Sequence, residues 1–213
     1  MLSNSVATFV PGRRYWQRYL AAEPKTLRLS RRQKRVLDAM ALKESPRIGE
    51  KAEAQKLLRQ IIDEPVLSPD LTIYAMLNLC DLLLEEAKAY GAEPVLEEAD
   101  RLSARISDIA LSQDSPALRV EALLLRSKFA LLQGSIPEAD KLLGQAAKIA
   151  EDQRLPKLAD EVAREQAALA TEVGRWEELI ARAAPLRERL EQARLQDYIA
   201  DAVKLIAIVE ATI

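Results

Sequence analysis

Apolar residues recur at helical spacing through nearly the whole chain, and the interruptions fall at turn residues. From Ser115 the pattern is clearest. Leu118, Ala122, Leu125 and Phe129 share one helix face. Ser115 is placed to cap that helix, because its hydroxyl can accept from a free N–H of the first turn. Pro116 suits the first helical position, where its missing N–H costs nothing. Gly134 is predicted to stop the helix in the left-handed conformation. Pro137 then opens a second helix, with Glu138 favoured in its first turn and an apolar face of Ala139, Leu142, Leu143, Ala146, Ala147, Ile149 and Ala150.

This helical hairpin repeats. Pro116 and Gly134 return forty residues on as Pro156 and Gly174, and Glu138 to Leu142 answer Glu98 to Leu102 at the same offset. Glu53 to Leu58 match Glu138 to Leu143 further upstream. Ser68-Pro69 opens a unit as Ser115-Pro116 does, with Leu71, Ile73, Ala75 and Leu77 answering Leu118, Val120, Ala122 and Leu124. That unit's first helix runs longer, to Gly91. One hairpin cannot bury its own apolar face, so a hairpin returning at a fixed period predicts a stacked array.

Ser127, Gly134, Ile136, Glu138, Ala139, Leu143 and Ala146 carry a resemblance to the tetratricopeptide repeat family, in its roughly forty-residue variety. Ala167, Gly174, Trp176 and Glu178 continue it, although Leu179 stands where alanine is usual and Pro185 cuts the second helix short. Arg126 and Gln166 replace an expected leucine. The resemblance spans about Ser30 to Pro185. It implies an all-α, right-handed α-solenoid of antiparallel hairpins, about four of them, with a concave groove that binds a protein or peptide segment. The expected division is a basic, aromatic-containing segment over 1–29, the array over 30–185, and a capping helix over 186–213.

In such arrays the first helix of each hairpin lines the concave side. Removing the packing stripe leaves Tyr74, Leu77 and Asp81, then Glu121, Leu124 and Lys128, then Glu161, Arg164 and Ala168, each set at i, i+3, i+7 and so on one helix face. These nine are the candidate partner-binding residues. Tyr74, Lys128 and Arg164 are the strongest, as an aromatic and two long cations, while Leu77 and Leu124 are equally open to a core role.

Beyond Pro185, Leu186, Leu190, Ala193, Leu195, Ile199, Ala202, Val203, Ile206, Ala207 and Val209 predict one helix of about 25 residues. Its apolar second half must pack on the last repeat or meet a partner, so a homodimer through this helix is one expectation.

Composition narrows the chemistry. The chain has 213 residues, 49% hydrophobic and 30% charged, with six glycines, as suits an all-helical fold. It contains no histidine and one cysteine. Ser-His and Cys-His couples are thus excluded, as are imidazole ligands, and no Gly-rich phosphate loop is present. No catalytic set, metal site or cofactor is expected. Cys80 takes the small-residue position of Ser127 and reads as a buried structural thiol. A lone cysteine implies a reducing compartment, so a cytoplasmic location is expected. The acid-free start followed by arginines faintly resembles a mitochondrial presequence, the minor alternative. No apolar run has membrane-spanning length.

Charge is lopsided near the start. Between Arg13 and Arg35 nine cations face Glu23 alone, a net of +8 in a chain of −2 overall. Arg13, Arg14, Trp16, Arg18, Arg31, Arg32, Lys34 and Arg35 therefore form a candidate nucleic-acid-binding set, since cations grip phosphates and aromatics stack on bases. The competing reading pairs these arginines with the acidic array or leaves them solvated. A nucleic-acid-associated regulator is accordingly the second function expected, behind the protein-binding module.

Overall fold

The computed structural model describes residues 31–65, 69–91 and 93–210, and the regular structure among them is helical. The helices are α1 (Arg31–Lys43), α2 (Ile48–Asp63), α3 (Pro69–Tyr90), α4 (Glu93–Ser112), α5 (Pro116–Leu132), α6 (Ile136–Asp152), α7 (Pro156–Ala181), α8 (Leu186–Ala193) and α9 (Leu195–Glu210). From α1 to α7 each helix packs on the next in chain order. The short links between them require the chain to reverse.

Four of the reversals share one local design. After α5 the Ser135 N–H reaches the Ala130 carbonyl at 2.8 Å and the Gly134 N–H reaches Leu131 at 3.0 Å, with Gly134 at φ +79°. This is a left-handed helix stop that satisfies two carbonyls left over at the helix end. The same pair of bonds closes α4, α6 and α7, where Asp114, Arg154 and Ala183 hold φ of 46°, 54° and 48°. Ser115 caps α5 as expected, accepting from the Leu118 N–H at 3.4 Å beside Pro116.

Gly174 does not turn the chain. Helix α7 runs unbroken through it, so Glu177 and Glu178 lie inside a helix and no hairpin forms there. The reason is packing. Val162, Leu169, Trp176 and Leu179 form one continuous buried stripe, and a break at Gly174 would expose the last two. Burying a tryptophan and a leucine outweighs the roughly 1 kcal/mol that a glycine costs inside a helix. The turn comes instead at Ala183, before Pro185.

The single helix expected after Pro185 is also divided. Arg194, at φ 48°, separates α8 from α9. Both helices pack on α3 and α5. Helix α3 thereby contacts α1, α2, α4, α8 and α9. Every residue from Leu71 to Cys80 is buried, which an amphipathic helix with one wet face would not show. Cys80 lies among them with its sulfur 3.7 Å from the Ala99 carbonyl, and burial pushes its thiol pKa up, away from the reactive thiolate.

Candidate functional site

Helices α5 and α7 diverge from α8 and α9 around a cleft of about 480 Å³. Its walls include Glu121 and Lys128 from α5, and Glu161, Arg164, Glu165 and Ala168 from α7. Gln192, Arg194, Asp197 and Tyr198 close the other side. Five of the nine residues expected on the free stripe therefore meet at one place: Glu121, Lys128, Glu161, Arg164 and Ala168.

The other four do not. Tyr74 is 4% exposed, with its hydroxyl 3.6 Å from the Met40 sulfur on α1. Asp81 pairs with Lys43 of α1 at 2.7 Å, and the same ammonium reaches the Asn78 amide oxygen at 2.9 Å. Leu77 and Leu124 are buried in the core. Helix α1 thus covers the face of α3 that carries Tyr74 and Asp81, and Tyr74 is a core residue rather than a ligand anchor.

Two internal contacts set the character of the cleft. The Tyr198 hydroxyl sits 2.8 Å from a Glu121 carboxylate oxygen and 2.9 Å from the Glu121 carbonyl. Lys128, 7% exposed, donates to the Glu165 carboxylate at 2.7 Å, and its ammonium lies 5.5 Å from the Tyr198 ring centre. That places a desolvated cation near an aromatic ring, an attractive arrangement. Burial raises the Glu121 pKa from its ordinary value, and the Tyr198 bond partly opposes this by favouring the charged form. Burial, then the Glu121 charge, raises the Tyr198 pKa well above the ordinary phenol value.

Around this wired centre lie groups without a bond or ion pair among the described residues. Arg164 and Asp197 are exposed there, and Glu161 is half-buried. The cleft therefore offers both signs of charge beside the apolar edges of Leu131, Leu169 and Trp176. Among the described residues no group of three or more Cys, Asp or Glu is placed to share a metal ion. Chemically, the arrangement can hold a chain bearing charged and apolar side groups.

Reading the first helices alone misses Gln192 and Tyr198, because repeat register gives no sign that α8 and α9 fold back here, and it misses Glu165, which stands one position off the i, i+3, i+7 stripe of α7. The same register puts Trp176 at the start of a second helix after Gly174, away from this wall.

The basic set divides. Arg13, Arg14, Trp16 and Arg18 lie outside the described residues. Arg32 bonds the Ile61 carbonyl at 2.8 Å, the Thr72 hydroxyl at 3.0 Å and the Pro65 carbonyl at 3.2 Å. Arg35 pairs with Glu64. These two arginines tie α1 to the carbonyl end of α2, where cations are favoured by the helix dipole. Arg31 and Lys34 point to solvent. No helix among the described residues is long and apolar enough to cross a membrane. Comparison with family models, curated proteins and solved structures finds no match to this chain.

Proposed function

We propose that this chain is a tetratricopeptide-like helical-repeat module that binds a protein or peptide segment in the cleft between α5 and α7, as an adaptor in the cytoplasm. One observation carries the reading. Glu121, Lys128, Glu161, Arg164 and Ala168, singled out by repeat register alone, converge on one open cleft with charges of both signs left over. The repeat residues from Ser127 to Ala146 support it, since Ala139 and Ala146 are fully buried in the α5–α6 hairpin, as close helix packing in that family requires. The mixture of Arg164, Glu161 and Asp197 suits a peptide carrying its own mixed charges better than a phosphate backbone.

Selection of a short random-peptide library on the full chain tests it. The selected peptide should lose affinity roughly tenfold when Glu161 and Arg164 are both changed to alanine, as the loss of one or two charge-assisted hydrogen bonds would give. Both side chains reach solvent, so the fold should be unaffected. Equal affinity for the double variant, or no peptide enriched, sinks the proposal.

A further inference from the structure

Helices α8 and α9 dock on the same two helices, α3 and α5, yet their apolar stripes are out of phase. In α8 the buried side chains are Leu186, Leu190 and Ala193; in α9 they are Leu195 and Ile199, with Ala202 half-buried behind them. At about 100° per residue, an unbroken helix through Arg194 would place these two stripes about 180° apart. A straight 186–210 helix therefore cannot lay both stripes on one molecule. The chain must either bend at Arg194, as it does here, or present α9 to a second body.

The bend rests on a single residue. Arg194 holds φ 48°, a left-handed conformation that costs an L-residue energy wherever nothing else demands it. The stretch from Leu186 to Val203 contains no glycine or proline, so nothing in the local sequence opposes a continuous helix. In that helix Glu191 and Arg194 would stand at i, i+3, a favourable charge spacing. Helix α8 is anchored independently of α9. Arg189 donates to the Ala184 carbonyl at 3.2 Å and also to Leu132, and Gln192 donates to Glu172 at 2.6 Å.

We propose that this protein forms a domain-swapped dimer, in which α8 and α9 merge into one helix and α9 covers α3 and α5 of a second copy. Every contact of α9 is kept, including Tyr198 with Glu121, but between chains. The opposed stripes then face two bodies, and the strained conformation at Arg194 is relieved. Short strained hinges are a known route to this exchange. Each cleft would be walled by α5 and α7 of one copy and by Asp197 and Tyr198 of the other. The inference stands on helix phase and hinge conformation and does not depend on what the cleft binds.

Hinge variants of the full chain test it, with mass measured by light scattering after refolding at high micromolar concentration. Arg194→Val disfavours the left-handed hinge and should raise the dimer fraction. Arg194→Gly favours that hinge and weakens a continuous helix, and should lower the dimer association constant roughly tenfold or more below the valine variant. Both substitutions delete the guanidinium, so an ordinary surface contact through Arg194 would respond to both alike. Arg194→Leu, a better helix former than valine, serves if the valine chain does not fold. A dimer fraction that stays flat in the valine or leucine chain, or that is equal in the glycine chain, overturns the proposal.

Discussion

Tyr198 on α9 and Glu121 on α5, 77 positions apart in sequence, are joined by a hydroxyl–carboxylate contact of 2.8 Å in a largely buried setting. The contact binds the end of the chain to its middle and sets the electrostatics of the cleft. Because burial raises the Glu121 pKa, the folded protein holds a proton there more tightly than the unfolded chain. Stability should therefore fall as pH rises from the unfolded value, about 4.3, through the raised folded value. Glu121→Gln removes that titration while keeping a hydrogen-bond acceptor for Tyr198. Its melting temperature relative to wild type should improve from pH 4 to pH 7, and parallel pH profiles would contradict the assignment.

Helix stops give a second, paired expectation. At Gly134 an added Cβ would meet the Ile180 side chain at 3.4 Å, and the residue sits at φ +79°. Gly134→Ala should cost about 1 kcal/mol or more. Ala183 occupies the same conformation at φ 48° with no glycine to ease it. Ala183→Gly should stabilise by about 0.5–1 kcal/mol, read as opposite shifts in urea midpoint. Shifts of the same sign would mean that the two stops are not equivalent.

Tyr74 and Arg164, both singled out from repeat register, should separate cleanly. Tyr74 is buried against α1, so Tyr74→Ala should cost about 3–5 kcal/mol, as for other large aromatic truncations. Arg164 is exposed and without a bond or ion pair among the described residues, so Arg164→Ala should change stability by no more than about 0.5 kcal/mol. Denaturant titration of the two variants checks this directly.

The arginines of α1 offer the same kind of contrast. Arg32 bonds two carbonyls at the end of α2 and the Thr72 hydroxyl, and its replacement by alanine should cost about 1–3 kcal/mol. Lys34, on the same helix but in solvent, should tolerate alanine with almost no change. Thermal melts that rank the two variants the other way would show that α1 is not held by Arg32.

What the sequence determined by itself is the local part of this protein. Helix content, the Ser115 cap, the stops at Gly91 and Gly134, and the burial of Ala139 and Ala146 follow from spacing and from residues with narrow conformational preferences. Glycine announces a left-handed stop, whereas Asp114, Arg154 and Ala183 adopt one without any compositional sign, because neighbouring packing offsets the strain. Gly174 misleads for the converse reason: the buried stripe ending in Trp176 and Leu179 outweighs a weak helix former. Repeat register was enough to bring Glu121, Lys128, Glu161, Arg164 and Ala168 onto one stripe. It could not foresee that α1 would cover Tyr74 and Asp81, or that α9 would fold back to set Tyr198 beside Glu121. The phase shift between the α8 and α9 stripes was written in the chain, as Ala193 followed by Leu195 two positions on, but a phase shift says only that a helix must bend or find another body. Which surface receives it is decided by long-range burial, where the apolar area of α3 left uncovered by α1, α2 and α4 is matched by the apolar face of α9. That match is a property of assembled helices, and no single stretch of sequence contains it.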